Sequence, residues 1–287
     1  MQIDGLTKLV GVFGWPITHT ASPAMHNAAF QALRMNWAYL AFPVDPQNLR
    51  SALSGARDLG LVGVNLTVPH KILALDFMSE VDTQARKLGA VNTVCIENTV
   101  LRGFNTDGYG FSKAIKEEFN FSLRGKRVLV LGAGGAGRAI AIQCGWDGAA
   151  KVFVANRTAS KTDLIAKEFS GTKTAFKALE LTSTQIVGVI ADVDLLVNAT
   201  SVGLAEGESL GLDASIFSSR LFVYDTIYWP PETSLLKTAA EAGAKVANGL
   251  SMLLHQGAKS FELWTKRKAP VAVMRRALQS VVYGERK

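Results

Sequence analysis

Apolar residues fall in short runs along this chain, cut by glycine, proline and polar clusters, and this rhythm predicts strands alternating with helices. Lys8–Phe13 reads as a strand, and the turn-rich stretch from Gly14 to Pro23 leads into a helix over Ala24–Leu33. Ala38–Pro43 predicts a second strand, and Asp45 is placed to cap a helix over Pro46–Leu59. Val62–Leu66 is a short apolar strand ending at Thr67-Val68-Pro69. A helix over Val81–Leu88 then precedes a hairpin, Asn92–Glu97 with Val100–Phe104, turning at Asn98-Thr99.

A helical pattern runs from Asp107 to Phe119, and the polar Asn120–Lys126 segment follows it. Beyond it come strands at Val128–Leu131, Val152–Ala155, Leu195–Asn198 and Leu221–Asp225, with helices over Arg138–Cys144 and Lys161–Phe169. Such an alternation predicts a parallel, doubly wound layer. Gly203–Ser219 reads as a polar loop, and Leu250–Trp264 and Val271–Tyr283 read as two amphipathic helices. The expected fold class is α/β, with an N-terminal α/β domain over 1–107, a doubly wound domain over 108–248, and C-terminal helices over 249–287 that return to the first domain.

A chain of 287 residues is long enough for about two domains of roughly 150 residues. It is 48% hydrophobic and 19% charged, which excludes a disordered chain. The apolar runs break well before the ~18 residues of a membrane span. Met1-Gln2-Ile3-Asp4-Gly5 has no basic stretch ahead of an apolar core, so no signal peptide is expected. Cys95 and Cys144 lie in apolar segments without metal-ligand spacing and read as reduced structural thiols of a cytoplasmic protein. The net charge of +7 raises the question of nucleic acid. The basic residues are dispersed, however, apart from Lys266-Arg267-Lys268, Arg275-Arg276 and Arg286-Lys287, and no nucleic-acid motif accompanies them. They read as solvated helix ends. No nucleic-acid or membrane partner is expected, the chain is expected to be a monomer or homodimer, and its charge favours anionic small molecules.

The most specific local signal is Arg127-Val-Leu-Val-Leu-Gly-Ala-Gly-Gly-Ala-Gly-Arg-Ala139. A buried-type strand ends in Gly132, Gly134 and Gly137, spaced G-x-G-x-x-G, and a helix follows. The first glycine permits the turn, the second lets backbone approach a pyrophosphate, and the third lets helix pack on strand. Free N–H groups at the helix start then face the anion. This is a Rossmann-type dinucleotide signature. The next strand ends in Asn156-Arg157-Thr158, with Lys161 close behind and no carboxylate at its end. A carboxylate there would hold the ribose 2′-hydroxyl of NAD, whereas arginine grips a 2′-phosphate by paired hydrogen bonds. NADP is therefore the expected cofactor. Thr158 adds a hydroxyl donor and is placed to cap the next helix.

Polar residues also cluster at element ends in the first half: Pro16 to Asn27, with Thr20 and Ser22 two apart before a helix; Asn65-Leu66-Thr67-Val68-Pro69-His70-Lys71; Gly89-Ala90-Val91-Asn92-Thr93; and Gly103-Phe104-Asn105-Thr106-Asp107-Gly108. Each alone is ordinary turn and cap chemistry. In this order and spacing they resemble the shikimate dehydrogenase family, which includes quinate/shikimate dehydrogenases. Asn198-Ala-Thr-Ser-Val-Gly203, Asp225-Thr-Ile-Tyr-Trp-Pro230 and Gly249 to Gln256 add to the resemblance, which spans about Val10 to Trp264.

The resemblance implies reversible reduction of 3-dehydroshikimate to shikimate with NADPH, substrate bound by the first domain and cofactor by the second. By position it implies a catalytic pair, Lys71 and Asp107. It implies substrate contacts at Thr20, Ser22, Thr67, Asn92, Tyr228 and Gln256. Cofactor contacts fall at Gly132, Ala133, Gly134, Gly135, Ala136, Asn156, Arg157, Thr158, Lys161, Thr226 and Gly249. The side chains suit this chemistry. A lysine ammonium stabilises a developing alkoxide and delivers a proton, Asp107 orients it, and neutral amides and hydroxyls hold a polyol. Structural or solvent-facing roles are expected for His19, His26, His70 and His255, and no metal. Thr20 stands where the family usually has serine, narrowing the carboxylate pocket, and Thr226 replaces a commonly apolar residue beside the nicotinamide. The alternatives are a quinate/shikimate dehydrogenase of broader specificity and, remotely, a non-catalytic NADP(H)-responsive regulator.

Overall fold

The computed structural model describes residues 3–169, 171–205 and 207–284. The basic pair Arg286-Lys287 and residues Met1 and Gln2 of the opening stretch lie outside the described residues. The chain divides into two compact units, Met1–Gly110 with Leu253–Lys287, and Phe111–Met252.

The first unit is built on β1 (Lys8–Gly14), α1 (Ser22–Ala32), β2 (Trp37–Pro43), α2 (Leu49–Asp58), β3 (Gly63–Leu66), α3 (His70–Leu73), β4 (Glu80–Val81), α4 (Thr83–Leu88), β5 (Thr93–Glu97) and β6 (Val100–Phe104). Its mixed sheet has the order β2-β1-β3-β5-β6-β4. β1 pairs parallel with β2 and β3, and the β5–β6 hairpin is antiparallel. β1 from Val10 onward and all of β3 are buried on both faces, which is why they read as apolar runs, broken in β3 only by Asn65, rather than as alternations. Leu49, Leu53 and Ala56 recur at helical spacing on α2 and bury against Phe13, Val64, Leu66 and Val94 of the sheet.

The helix Asp107–Phe119 (α5) leaves this unit and the helix Leu250–Thr265 (α10) re-enters it, followed by α11 (Val271–Tyr283). As the fold class implied, the C-terminal helices pack on the first unit. α11 lies against α1, and the Trp264 indole N–H donates to the Val94 carbonyl at 3.0 Å.

The second unit contains β7 (Arg127–Leu131), α6 (Gly135–Trp146), β8 (Lys151–Asn156), α7 (Ala159–Glu168), β9 (Ala175–Glu180), α8 (Ser183–Ile190), β10 (Leu195–Asn198), β11 (Phe222–Asp225), α9 (Ser234–Glu241) and β12 (Lys245–Ala247). All strand pairs are parallel, in the order β12-β11-β10-β7-β8-β9. Alternate residues of the strands face opposite helical layers. Val128 and Val130 pack with Ile140 and Cys144 of α6, and Leu129 and Leu131 pack into the core that holds Ile186 of α8 and Leu236 of α9. This is the doubly wound sheet that the alternation predicted.

Several elements differ from the sequence reading. Residues 46–48 form a 3-10 turn before α2, with the Asp45 carboxylate accepting from the Gln47 amide. The helix predicted from Val81 starts at Thr83, because Val81 pairs with Gly103 in the sheet and Asp82 is the cap, accepting from the Gln84 and Ala85 amides. Thr158 sits at the N-cap of α7, but its side chain makes no capping hydrogen bond. Lys266-Arg267-Lys268 is exposed just past α10, whereas Arg275 and Arg276 lie within α11. No helix among the described residues is long and apolar enough to cross a membrane, and no three His, Cys, Asp or Glu side chains among them group to hold a metal ion.

Candidate active site

Lys71 sits on the single turn of α3, just after the Thr67-Val68-Pro69 bend. The His70 amide donates to the Thr67 carbonyl at 2.8 Å, and the Val91 amide donates to the Lys71 carbonyl at 2.8 Å. The lysine backbone is thus fixed between two loops of the same unit. Its Nζ lies 2.8 Å from Oδ2 of Asp107, the first residue of α5, whose side chain is only 4% exposed. Asp107 Oδ1 accepts from Asn92 Nδ2 at 2.8 Å. Asn92 Nδ2 also approaches Thr106 Oγ1 at 3.0 Å and Gln256 Oε1 at 3.4 Å, while its Oδ1 accepts from the Thr106 amide at 2.8 Å. Lys71, Asn92, Asp107 and Gln256, far apart in sequence, therefore meet in one cluster. Chemically this is a lysine–carboxylate pair flanked by neutral donors and acceptors, a set that can bind hydroxyl groups and exchange a proton with one oxygen.

The Thr20 hydroxyl accepts from the Ser22 amide at 3.4 Å, and Ser22 is buried at the start of α1. The Ser22 side chain lies beside the Tyr39 hydroxyl, which donates to Asn65 Oδ1 at 2.8 Å. Asn65 Nδ2 then donates to Thr93 Oγ1 at 3.1 Å and Ser260 Oγ at 3.0 Å, and the Thr93 hydroxyl bonds Asn92 Oδ1 at 2.9 Å. A buried polar chain thereby joins the Thr20–Ser22 corner to the Lys71–Asp107 corner. Burial in this layer pushes the Tyr39 phenol well up. Thr67 joins through its backbone, and its methyl lies 2.5 Å from where a Cβ on Gly14 would stand.

The remaining residues lie in the second unit. Gly132 turns the chain at φ +101, a conformation closed to most side chains, and its N–H donates to the Ala155 carbonyl at 2.7 Å. A Cβ on Gly137 would strike the Gly132 carbonyl, so only glycine lets α6 pack this close. Gly134 is the N-cap of α6, no side chain caps the helix, and the space where its Cβ would stand is open. The first-turn amides over Gly135 and Ala136 are thus presented without a side-chain competitor, which fits a dinucleotide pyrophosphate. The Ala133 amide donates to Asn156 Oδ1 at 3.1 Å, tying this loop to the end of β8, where Arg157, Thr158 and Lys161 are exposed. The register adds a carboxylate that sequence did not place there: exposed Glu180, opposite Asn156 on β9. Thr226 and Gly249 are neighbours, since a Cβ on Gly249 would meet the Thr226 carbonyl. Tyr228 follows on the same segment, half-buried.

Sequence reasoning missed Tyr39, Thr93, Thr106 and Ser260 as members of the polar cluster. Thr106 lay inside a quoted stretch beside Asp107. Ser260 carried a readable signal, because it sits four residues from Gln256 on a predicted helix and so shares its face.

Comparison with known proteins completes the picture. The family pattern of the shikimate dehydrogenase substrate binding domain matches residues 12–94, that of shikimate / quinate 5-dehydrogenase matches 113–205, and that of the shikimate 5'-dehydrogenase C-terminal domain matches 249–279. The chain is 44% identical over 283 residues to the shikimate dehydrogenase (NADP(+)) of Methanopyrus kandleri, covering 97% of each chain. It is 42% identical over 278 residues to that of Geobacter metallireducens, covering 96% of this chain and 97% of the relative. The crystal structure of shikimate 5-dehydrogenase from Thermus thermophilus in complex with NADP(H) and shikimate superposes with a TM-score of 0.85 at 37% identity, covering 96% and 99% of the two chains. The chain belongs to the shikimate dehydrogenase family.

Proposed function

We propose that this chain is an NADP-dependent shikimate dehydrogenase, an oxidoreductase acting on a CH–OH group that interconverts 3-dehydroshikimate and shikimate in aromatic amino-acid (chorismate) biosynthesis. The observation that carries the reading is the Lys71–Asp107 pair at 2.8 Å, set among Asn92, Thr106 and Gln256, in a chain whose relatives bear that activity in their names. Residues 1–107 form the substrate domain, onto which the helices of 249–287 pack back, and 108–248 form the cofactor domain. A cytoplasmic setting suits the two cysteines, which are buried free thiols. The protein acts as a monomer or homodimer.

NADP, when bound, supplies or accepts the hydride. The chain's own residues do the rest. Lys71 Nζ faces the substrate oxygen, gives it a proton as the alkoxide develops, and takes that proton back in the oxidative direction. Asp107 Oδ2 holds the ammonium in place, while Oδ1 is kept occupied by the Asn92 amide. Asn92, Thr67 and Gln256 bind the ring hydroxyls, and Thr20, Ser22 and Tyr228 bind the carboxylate. Gly132 to Ala136 receive the pyrophosphate at the open N-terminus of α6. Asn156 braces that loop, Arg157, Thr158 and Lys161 hold the 2′-phosphate, and Thr226 and Gly249 border the other end of the cofactor.

Lys71→Ala tests the assignment. Its kcat for shikimate oxidation is expected to fall by about 10²–10⁴-fold, with the shikimate Kd, read by calorimetry, held within about threefold. A kcat equal to wild type would remove Lys71 from the reaction.

A further inference from the structure

Asp225 ends β11 and is fully buried, yet no part of the chemistry above uses it. Both carboxylate oxygens are occupied. Oδ1 accepts from Asn198 Nδ2 and from the Ile227 amide, each at 3.0 Å, and Oδ2 accepts from the Thr233 hydroxyl at 2.7 Å. The donors come from separate segments: the end of β10, the loop after β11, and the cap of α9. Burial pushes the carboxyl pKa up, and the three donors work against that push. An ionised carboxylate is the side chain that accepts all of them without presenting a donor of its own.

The bonds continue outward. Asn198 Oδ1 accepts from the Thr200 amide at 3.1 Å and its hydroxyl at 2.7 Å, and Asn198 Nδ2 also reaches the Val202 carbonyl at 3.2 Å. The Thr226 amide donates to the Asn198 carbonyl at 2.9 Å, and the Gly249 amide donates to the Ile227 carbonyl at 3.0 Å. The next residue after Asn198, Ala199, donates its amide to Leu131 at 2.8 Å, and its carbonyl packs directly against Gly132. One buried carboxylate thus sets the shape of the 198–203 and 226–233 loops and, through Ala199, touches the glycine turn.

The sheet order says which part of a dinucleotide these loops meet. Ligands lie across the carboxyl ends of the strands of such a sheet, with the pyrophosphate over the first strand–helix turn. Here that turn follows β7, and the Asn156–Lys161 segment that suits the 2′-phosphate follows β8, on one side of β7. The other nucleotide then extends across the opposite neighbours, β10 and β11. Resting on the NADP reading, we infer that Asp225 is a positioning residue that, with Asn198 and Thr233, holds the loops bordering the nicotinamide half of the cofactor.

The test uses the full chain and its Asp225→Asn, Thr233→Val and Thr233→Ser variants. NADPH affinity is read by fluorescence titration, shikimate affinity by calorimetry, and turnover at saturating ligands. Asp225→Asn and Thr233→Val are expected to raise the NADPH Kd about ten- to hundredfold and to lower kcat, with a smaller rise in the shikimate Kd because Tyr228 shares the held 226–233 loop. Thr233→Ser, which keeps the hydroxyl, is expected to stay within about threefold throughout. A folded Asp225→Asn with wild-type NADPH affinity and kcat overturns the inference, as does equal loss of both ligands. Should Asp225→Asn not fold, equal NADPH affinity in Thr233→Val and Thr233→Ser overturns it. Wild-type protein that binds no NADPH refutes the cofactor reading itself, a result distinct from either.

Discussion

His26 shows how far a single residue can depart from its ordinary chemistry in this fold. It is fully buried, both ring nitrogens lack hydrogen-bond partners, and its ring stacks on Tyr39 at a 4.3 Å centroid distance, with Phe30, Phe261 and Trp264 around it. Desolvation lowers its pKa to about 3 from an unfolded value near 6.5. The imidazole is therefore neutral in the fold, and the unfolded chain binds the extra proton between those two values. Its contribution is intact above the unfolded pKa and is lost as pH falls toward 3, on the order of 3 kcal/mol by pH 4.5. His70, also buried and lowered by desolvation, acts in the same direction. His26→Phe removes one of these terms and keeps an aromatic ring in the stack. Its thermal midpoint is expected to drop less than that of wild type between pH 7 and pH 4.5. Parallel midpoint curves for the two proteins would show that His26 does not titrate on unfolding. Sequence alone left this histidine between a structural and a solvent-facing role, because its burial depends on Gly257 letting α10 approach α1.

At the scale of elements, the joint between β8 and α7 carries the proposed grip on the 2′-phosphate. Arg157 and Lys161 are exposed there, Asn156 braces the glycine loop, and the Glu180 carboxylate stands opposite on β9. Arginine grips a 2′-phosphate by paired hydrogen bonds and has no comparable partner on a 2′-hydroxyl. Arg157→Ala is expected to raise the KM for NADP about ten- to hundredfold while leaving that for NAD within about threefold; equal shifts in both would take the 2′-phosphate away from this residue. The same region shows what periodicity can read. β7, β8, β10 and β11 are inner strands, so each carries an uninterrupted apolar stretch, with polar residues only at its ends. β9 and β12 are the sheet edges, exposed at alternate or outer positions, and their composition does not separate them from loops. α8 was obscured by Gly188 and its β-branched residues, and α9 is a short helix beside a loop-rich stretch. Glu180 became a neighbour of Asn156 only when β9 took its register.

For the whole molecule, the order of motifs was enough to identify the family, but the site depends on the fold. Lys71, Asn92 and Asp107 stand at the ends of elements around β3, β5 and β6, where a polar residue interrupting an apolar pattern is visible in sequence. Gln256 arrives from a helix more than a hundred residues later, and only the return of α10 to the first unit brings it to Asn92 at 3.4 Å. Tyr39 was hidden for a related reason: it looks like an ordinary strand residue until Ser22 and Asn65 close around its hydroxyl. In the second unit the glycine loop was legible because its backbone demands glycine, while the Asp225 network was not, because its donors come from three separate segments. The most direct test of the account is a steady-state comparison of shikimate and quinate, each with NADP and with NAD, followed by the near-ultraviolet absorbance of the reduced nicotinamide. The account predicts that kcat/KM for shikimate with NADP exceeds every other combination by about tenfold or more. Absence of shikimate turnover with either cofactor, or a preference for quinate with NAD, would contradict it.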